Sequence, residues 1–561
     1  MSWKILNRRL LIILAILLVG TVRAQDLTHF KENKVTFHGN LSATTIFYNT
    51  SGDVQRKDPF VYILGGNFTL NLKGFIFPFS FTYSDQNKSF RQPFNHYGVS
   101  PQWKWIKVHL GYRNINFSKY VLGGHTILGG GIELTPGKFR FGIVYGRLQK
   151  TTNRAYNVNN PISDTLSSYS RKALSFKIGY GTGNSFVDFV FLRGYDDSTS
   201  VDTSYAGSGN FPATNVVAGI NSRIAFTSTL HLQFEMAYSV YTSDQNSVIA
   251  FEVSPFVDKL IPINISTQGF MAINGKLEYK NRKGFSTGLH YRRIDPGYKS
   301  MGSYFINNDV ENITVNLGFG LLQRKMRIQG SLGLERNNLK VARNATTKKV
   351  IGSAVLNYNP VHFFGININY SNYSINQQAG RVQIADSVKL YQTNGTFMVM
   401  PHFQFMGKGK KVSHYIALVY TQMKLNDKNP QSGFNNSFTT YNNMISYNLS
   451  LINPGVGINA SLNYNKVKMV TGESINKGFT VGASKGLMEG KVNMGLSVNF
   501  TNSKVDNIET TVITPRFTAR GKFGKHHSLR LKLTLISNSN NNNNQQSYTE
   551  EIGDLSYVFT F

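Results

Sequence analysis

Apolar and polar residues alternate with a period of two along most of this 561-residue chain, and that pattern limits its folding more than any motif does. In an extended strand, side chains two apart share a face. Leu230, Leu232, Phe234, Met236 and Tyr238 alternate with His231, Gln233, Glu235, Ala237 and Ser239. Ile313, Val315, Leu317, Phe319 and Leu321 alternate with Thr314, Asn316, Gly318 and Gly320. Val492, Met494, Leu496, Val498 and Phe500 oppose Lys491, Asn493, Gly495, Ser497 and Asn499, and Leu529, Leu531, Leu533 and Leu535 oppose Arg530, Lys532 and Thr534. Such stripes run about nine residues or more, the length a tilted strand needs to cross a bilayer. Helical periodicity is scarce, so the expected class is all-β. A soluble sandwich could alternate in the same way, which leaves the connections to decide.

The connections alternate between short and long. Tight turns fall near Lys73-Gly74, Pro136-Gly137, Thr227-Ser228, Arg324-Lys325, Asn359-Pro360 and Glu489-Gly490, all rich in turn-forming residues. Between them lie polar stretches such as 151–170, 196–213, 242–268, 296–310, 374–386, 424–436 and 537–550. Short turns at one rim and long loops at the other suit a membrane barrel, and a sandwich has no reason to keep that parity. Tyr112, Tyr145, Tyr180, Tyr238, Tyr291, Tyr370 and Tyr464 sit at the ends of apolar stripes, where interfacial rings are favoured.

The amino-terminal residues read as a cleaved secretory signal over 1–24: Lys4, Arg8 and Arg9, an apolar run from Leu10 to Gly20, then Val22-Arg23-Ala24. That run is shorter than a membrane-spanning helix. Residues 25–33 form a short periplasmic lead, and 34–561 form one uniform domain without a linker. Cysteine is absent, so disulfides, thiolate metal sites and a cysteine-borne lipid anchor are excluded.

The chain closes on "GDLSYVFTF", in which Leu555, Tyr557, Phe559 and Phe561 share one face. With this ending the chain resembles the outer-membrane β-barrel proteins of Gram-negative bacteria, porin-like in architecture. Its Asn- and Tyr-rich texture and Gln25 after the cleavage site resemble secreted Bacteroidota proteins. The resemblance implies a single large transmembrane antiparallel β-barrel with short periplasmic turns and long extracellular loops, located in the cell outer membrane after export through the inner membrane. It also implies that Tyr557, Phe559 and Phe561 act as an assembly signal read by the barrel-assembly machinery. TonB-dependent transporters are similar in barrel size, but the residues before the first strand leave no room for their plug domain.

About 25 segments are clear, and such barrels have even strand numbers. The stretch from Arg113 to Thr135 must hold either another crossing, with Ile115 to Leu122 as the missing strand of 26, or an inward loop, with about 24 strands in all. Either size leaves a lumen too wide for side chains to fill.

Lys plus Arg number 60 against 29 Asp plus Glu; without Lys4, Arg8, Arg9 and Arg23 the balance is 56 against 29, or about +27. Lys107, Arg113, Lys138, Arg140, Arg530 and Lys532 fall on expected inward faces, as a lumen favouring anions requires. Alternatively, the basic residues decorate loops and hold lipopolysaccharide phosphates.

Two segments break the pattern. Residues 247–264, "SVIAFEVSPFVDKLIPIN", carry Val248, Phe251, Phe256, Leu260 and Ile261 and are too apolar for a solvated loop. They are candidates for a constriction, a cover or a site for an outer-membrane protein partner. The glycine-rich "LGGHTILGGG" suits a barrel corner or an inward hatch.

Catalytic motifs are missing: there is no Gly-x-x-x-x-Gly-Lys-Ser/Thr loop and no His-Glu-x-x-His pair. His526-His527 lacks further ligands for a metal. No cofactor, metal, enzymatic activity or nucleic-acid partner is expected, although a Ser/His pair meeting across strands would be invisible at this level. Two functions remain: a porin-like channel or transporter favouring anionic solutes, or a barrel subunit of an assembly, secretion or nutrient-uptake complex. The lipid bilayer and lipopolysaccharide are its expected surroundings.

Overall fold

The computed structural model describes residues 35–561 except 53–54, 86–94, 153–166, 202–210, 250–253, 380, 382–388, 408, 410, 430–435, 454 and 542–546. The secretory signal, the 25–33 lead and Phe251 lie outside the described residues.

The alternating stretches become strands of 9 to 17 residues, apart from one short broken strand. They join one antiparallel sheet of 27 pieces, from Thr36–Thr50 to Tyr548–Thr560. Two pieces, His96–Val99 and Gln102–Trp103, are halves of the broken strand: both pair with Phe75–Ser84 and with Ile106–Asn114. Pro101, which has no N–H to give the ladder, stands at the break. The barrel therefore has 26 strands.

Closure is direct. Thr36–Thr50 pairs with Tyr548–Thr560 from Asn40↔Thr560 to Thr50↔Glu550. Beyond that register, Gly39 N donates to Phe561 O (2.9 Å) and Phe561 N donates to Gly39 O (3.0 Å). Among the described residues the barrel sheet has no unpaired edge, as a sheet in lipid requires. The Phe561 ring stacks on Phe37 at 4.4 Å. At the first hairpin, Lys73 and Gly74 take φ of 51° and 94°, both positive as a two-residue turn of matching twist demands.

The two faces are inverted relative to a water-soluble protein. Outward side chains include Leu332, Leu462 and Leu496, which are 61%, 60% and 59% exposed. Buried residues on the inner side include Asp188, Asn215 and Ser239. A continuous apolar band on the outside with polar groups inside is the surface of a bilayer-embedded barrel.

Three sequence expectations need correction. Ile115 to Leu122 is not a strand: the crossing is Thr126–Leu134, paired with Ile106–Asn114 and Phe139–Gln149. Residues 115–125 fold inward instead, with Phe117 N and Ser118 N both donating to Leu122 O. The alternatives were not exclusive, because the glycine-rich run supplies the extra strand while the apolar residues before it supply the inward loop. Strands also continue past the expected loop starts, to Ala379, Asp427 and Asn540, because polar alternation carries on above the apolar band. Finally, Lys138 sits in the turn after Gly137 and not on a wall strand.

Candidate functional site

The lumen is built from the inner faces of the strands and two inward segments, residues 115–125 and 295–309. Both follow strands that reach the rim opposite the chain termini, then turn back inside. Their apolar side chains meet: Ile115, Phe117, Tyr120, Val121 and Leu122 form one buried cluster with Tyr298 and Met301. A two-residue parallel bridge, Leu122–Gly123 with Gly302–Ser303, ties the segments together. Tyr298 Oη donates to Tyr120 O (3.0 Å), and Ser300 Oγ donates to Val121 O (2.6 Å).

The wall receives this plug with small or apolar inward residues, among them Val144, Ala173, Val190, Val217, Ala237 and Ala272. A Cβ at Gly142 would lie 2.7 Å from the Phe117 ring, and one at Gly219 would lie 2.9 Å from Val121. The wall also supplies polar anchors to backbone groups that would otherwise be buried unpaired. Glu235 accepts from Ser118 Oγ (2.5 Å) and Tyr120 N (3.3 Å). Asn215 Oδ1 accepts from Met301 N (2.9 Å), and Asn221 Nδ2 donates to Phe117 O (3.1 Å). Burial, followed by the charge of Glu235, pushes the Tyr120 phenol up to about 12; burial also raises Tyr298. His125, at the end of the first segment, is pushed down to about 4, mainly by burial and secondarily by the Arg171 charge.

Ion pairs fill the wall beneath and beside the plug. Arg140 bonds Asp188 through two contacts of 2.7 and 2.9 Å, with Asp188 only 1% exposed. Lys177 reaches Glu133 at 2.9 Å, and His109 reaches it at 3.1 Å. Arg171 pairs with Asp196 at 2.7 Å, and Glu335 holds Lys349 at 3.0 Å and Arg292 at 3.3 Å.

The expected basic residues therefore separate. Lys107 lies across from Glu133 on the inner face. Arg113 donates to Ser80 Oγ (2.9 Å), Pro78 O (3.2 Å) and Gly98 O, beside a 380 Å³ recess also lined by His38, Asn40, Asn67 and Thr69. Arg140 is neutralised by Asp188, and Lys532 pairs with Asp554 at 3.2 Å. Arg530 is exposed, stands directly across from Arg520, and shares its face with Arg516. Among the described residues, none of these three arginines pairs with a carboxylate. Sequence reasoning missed Arg516 and Arg520, although their alternation with Pro515, Phe517 and Ala519 marks the same inner face.

In the 247–264 segment, the structure forms a short helix, Pro255–Leu260, begun by Ser254. Leu260 O accepts from Arg193 Nε (2.7 Å) and Ile261 is buried. Val248 is 72% exposed, in contrast to Ile261, while Phe251 and the Phe256 side chain lie outside what the structure describes.

No protein-family model matches the chain, and no curated protein matches it. Among solved structures, the chain is similar to OccAB2 of Acinetobacter baumannii at 9% identity, covering 94% of this chain and 98% of that one with a TM-score of 0.33. The P pilus usher (PapC) translocation pore matches at 10% identity, over 94% and 99%, with a TM-score of 0.38. The FrpB iron transporter of Neisseria meningitidis matches at 12% identity, over 96% and 83%, with a TM-score of 0.38. Likeness at this level carries no inference about activity.

Proposed function

We propose that the protein is a Gram-negative outer-membrane channel that passes small polar solutes, anions in preference to cations, along the unplugged side of its lumen. The observation that carries this reading is the arginine group Arg516, Arg520 and Arg530: exposed, unpaired with carboxylates among the described residues, and on a wall the inward segments leave uncovered. Two like charges directly across a strand pair repel each other, and a passing anion relieves that repulsion. The apolar outer band supports insertion in a bilayer. Tyr557, Phe559 and Phe561 at the barrel seam serve, on this reading, as the assembly signal.

The test is conductance of the purified barrel in a planar bilayer under a KCl gradient. Discrete openings with a chloride-biased reversal potential support the channel, and the bias should shrink in R520Q/R530Q. A folded barrel that stays silent would sink the channel reading. A complex-subunit reading has its own observation: Tyr304 and Phe305, on the second inward segment, are 69% and 82% exposed, as is Val248 at 72%. Large exposed rings are expensive in water and suit a contact with another protein. Recovery of one constant foreign protein from mildly solubilised membranes, lost in Y304S/F305S, would favour that reading.

A further inference from the structure

Strand pairing brings together a serine, a histidine and a carboxylate that permeation does not use. Ser100 Oγ lies 3.0 Å from His109 Nδ1, and His109 Nε2 lies 3.1 Å from Glu133 Oε1. Ser100 stands at the strand break beside Pro101, His109 on Ile106–Asn114 and Glu133 on Thr126–Leu134. Lys177 holds the other Glu133 oxygen at 2.9 Å, so the carboxylate is fixed from both sides. With Nε2–H donated to Glu133, Nδ1 is left to accept from the Ser100 hydroxyl, the arrangement that activates a serine as a nucleophile. The two ring nitrogens are exchanged relative to the commoner order, but each still has one of the two tasks. Pro78 O accepts from Ser100 N (3.0 Å) and from Arg113 Nη2 (3.2 Å), so the serine borders the recess that Pro78 and Arg113 line. Arg113 Nε is buried and, among the described residues, has no acceptor, which leaves it as a donor for a ligand oxygen.

We propose that the inner wall carries a serine esterase site that removes small acyl groups, of acetyl size, from hydroxylated, sugar-like molecules. Ser100 Oγ attacks the ester carbonyl carbon while its proton passes to His109 Nδ1. The carbonyl electron pair moves onto oxygen, and Arg113 Nε stabilises the oxyanion. Pro101, which follows the nucleophile, has no N–H to offer for that task. The ester C–O bond then breaks, and the leaving alkoxide takes the proton from His109. Water, deprotonated in turn by His109, attacks the acyl-serine and releases the acid and the free Ser100 hydroxyl. Glu133 is a positioning residue that holds the imidazole and stabilises its cation. Ser100 and His109 are 7% and 5% exposed, so a small acyl group suits the approach to the hydroxyl. The alcohol half fits the recess, where His38, Asn40, Asn67, Thr69 and Ser80 supply amide, hydroxyl and ring groups without a carboxylate. The inference is independent of whether the lumen conducts.

The experiment treats the detergent-solubilised full barrel with diisopropyl fluorophosphate. Attack should join Ser100 Oγ to phosphorus and expel fluoride, and peptide mass spectrometry should place the adduct on Ser100. S100A and H109Q should lose the adduct, and R520Q/R530Q should be labelled as the parent is. With p-nitrophenyl acetate the parent should turn over, S100A should fall to the uncatalysed rate, and H109Q should lower kcat by at least about a hundredfold. E133Q should lower kcat with KM unchanged, because Glu133 acts through His109 and touches no substrate. p-Nitrophenyl octanoate should react at least about tenfold more slowly than the acetate. The parent should also release acetate from an O-acetylated hexose. Heat-dependent gel mobility verifies that each variant is a folded barrel. A folded parent left unlabelled at Ser100, or a folded S100A that hydrolyses the acetate ester as the parent does, would overturn the proposal. Octanoate hydrolysed as fast as acetate would overturn the acyl assignment, and an untouched acetylated hexose would overturn that of the alcohol.

Discussion

The wall from Ile106 to Leu321 and the wall from Met326 to Thr560 are built from the same kind of strand, yet among the described residues only the first is covered from within. In the first, the inner face carries Val190 and Leu192 beside Asp188, while the outer face carries Val187 and Phe189. Both faces are largely apolar, as in strands buried on two sides. In the second, the inner face reads Ser446, Ser461, Thr480 and Asn499 along one cross-strand row, with Ile445, Leu462, Phe479 and Phe500 outside. Here the inner residues are only partly buried, with amides and hydroxyls facing the lumen. The difference teaches that one barrel can hold a packed core against one wall and leave a polar, partly exposed inner face on the other, with inner-face polarity deciding which.

The sharpest way to break this contrast is to unpair a charge in the packed wall. Asp188→Ala leaves the Arg140 guanidinium without its partner in a partly desolvated site, and should destabilise the barrel by roughly 3–5 kcal/mol. Loss of denaturant resistance in heat-dependent gel mobility would measure it; a barrel as resistant as the parent would mean that the pair is solvated. Leu122→Ala should weaken docking of the first inward segment by about 2–5 kcal/mol, because it empties a fully buried position. Faster amide exchange over residues 115–125 with unchanged exchange in the strands is the expected result.

Acidification acts on the same segment. His125 is held neutral in the folded state, with its pKa pushed down to about 4 from 6.5. Above pH 6.5 the group costs nothing; as pH falls toward 4, the undocked segment gains a proton that the docked one refuses. Docking should lose up to about 3 kcal/mol across that window. Amide exchange of residues 115–125 at pH 7 and at pH 4.5 should differ accordingly, and His125→Gln should flatten the difference. The smallest stability effect belongs to the uncovered wall: R520Q/R530Q should shift stability by no more than about 0.5 kcal/mol, since both side chains are exposed. An equal stability loss in both walls would erase the distinction between them.

The plug was partly legible in the sequence. The apolar inner face of Ser185–Asp197, "SFVDFVFLRGYDD", departs from clean alternation and signals cover on both sides. Gly142 and Gly219 mark the landing sites, but a glycine alone does not say what approaches it. Reading Ile115 to Leu122 as a strand failed because its apolar residues are driven by burial against the wall and not by the pleat.

Local alternation by itself determined that the chain is all-β, which face of each strand is apolar, and that the sheet must close in lipid. Those properties have a period of two and need no knowledge of distant residues. Only the tertiary structure decided which cations are free. Arg140 finds Asp188 across 48 residues, Lys177 finds Glu133 across 44, and Ser118 finds Glu235 across 117. Such pairs depend on strand register and on a loop folding back through the lumen. Composition therefore announces an excess of positive charge, and the register of the barrel decides where it stays unneutralised.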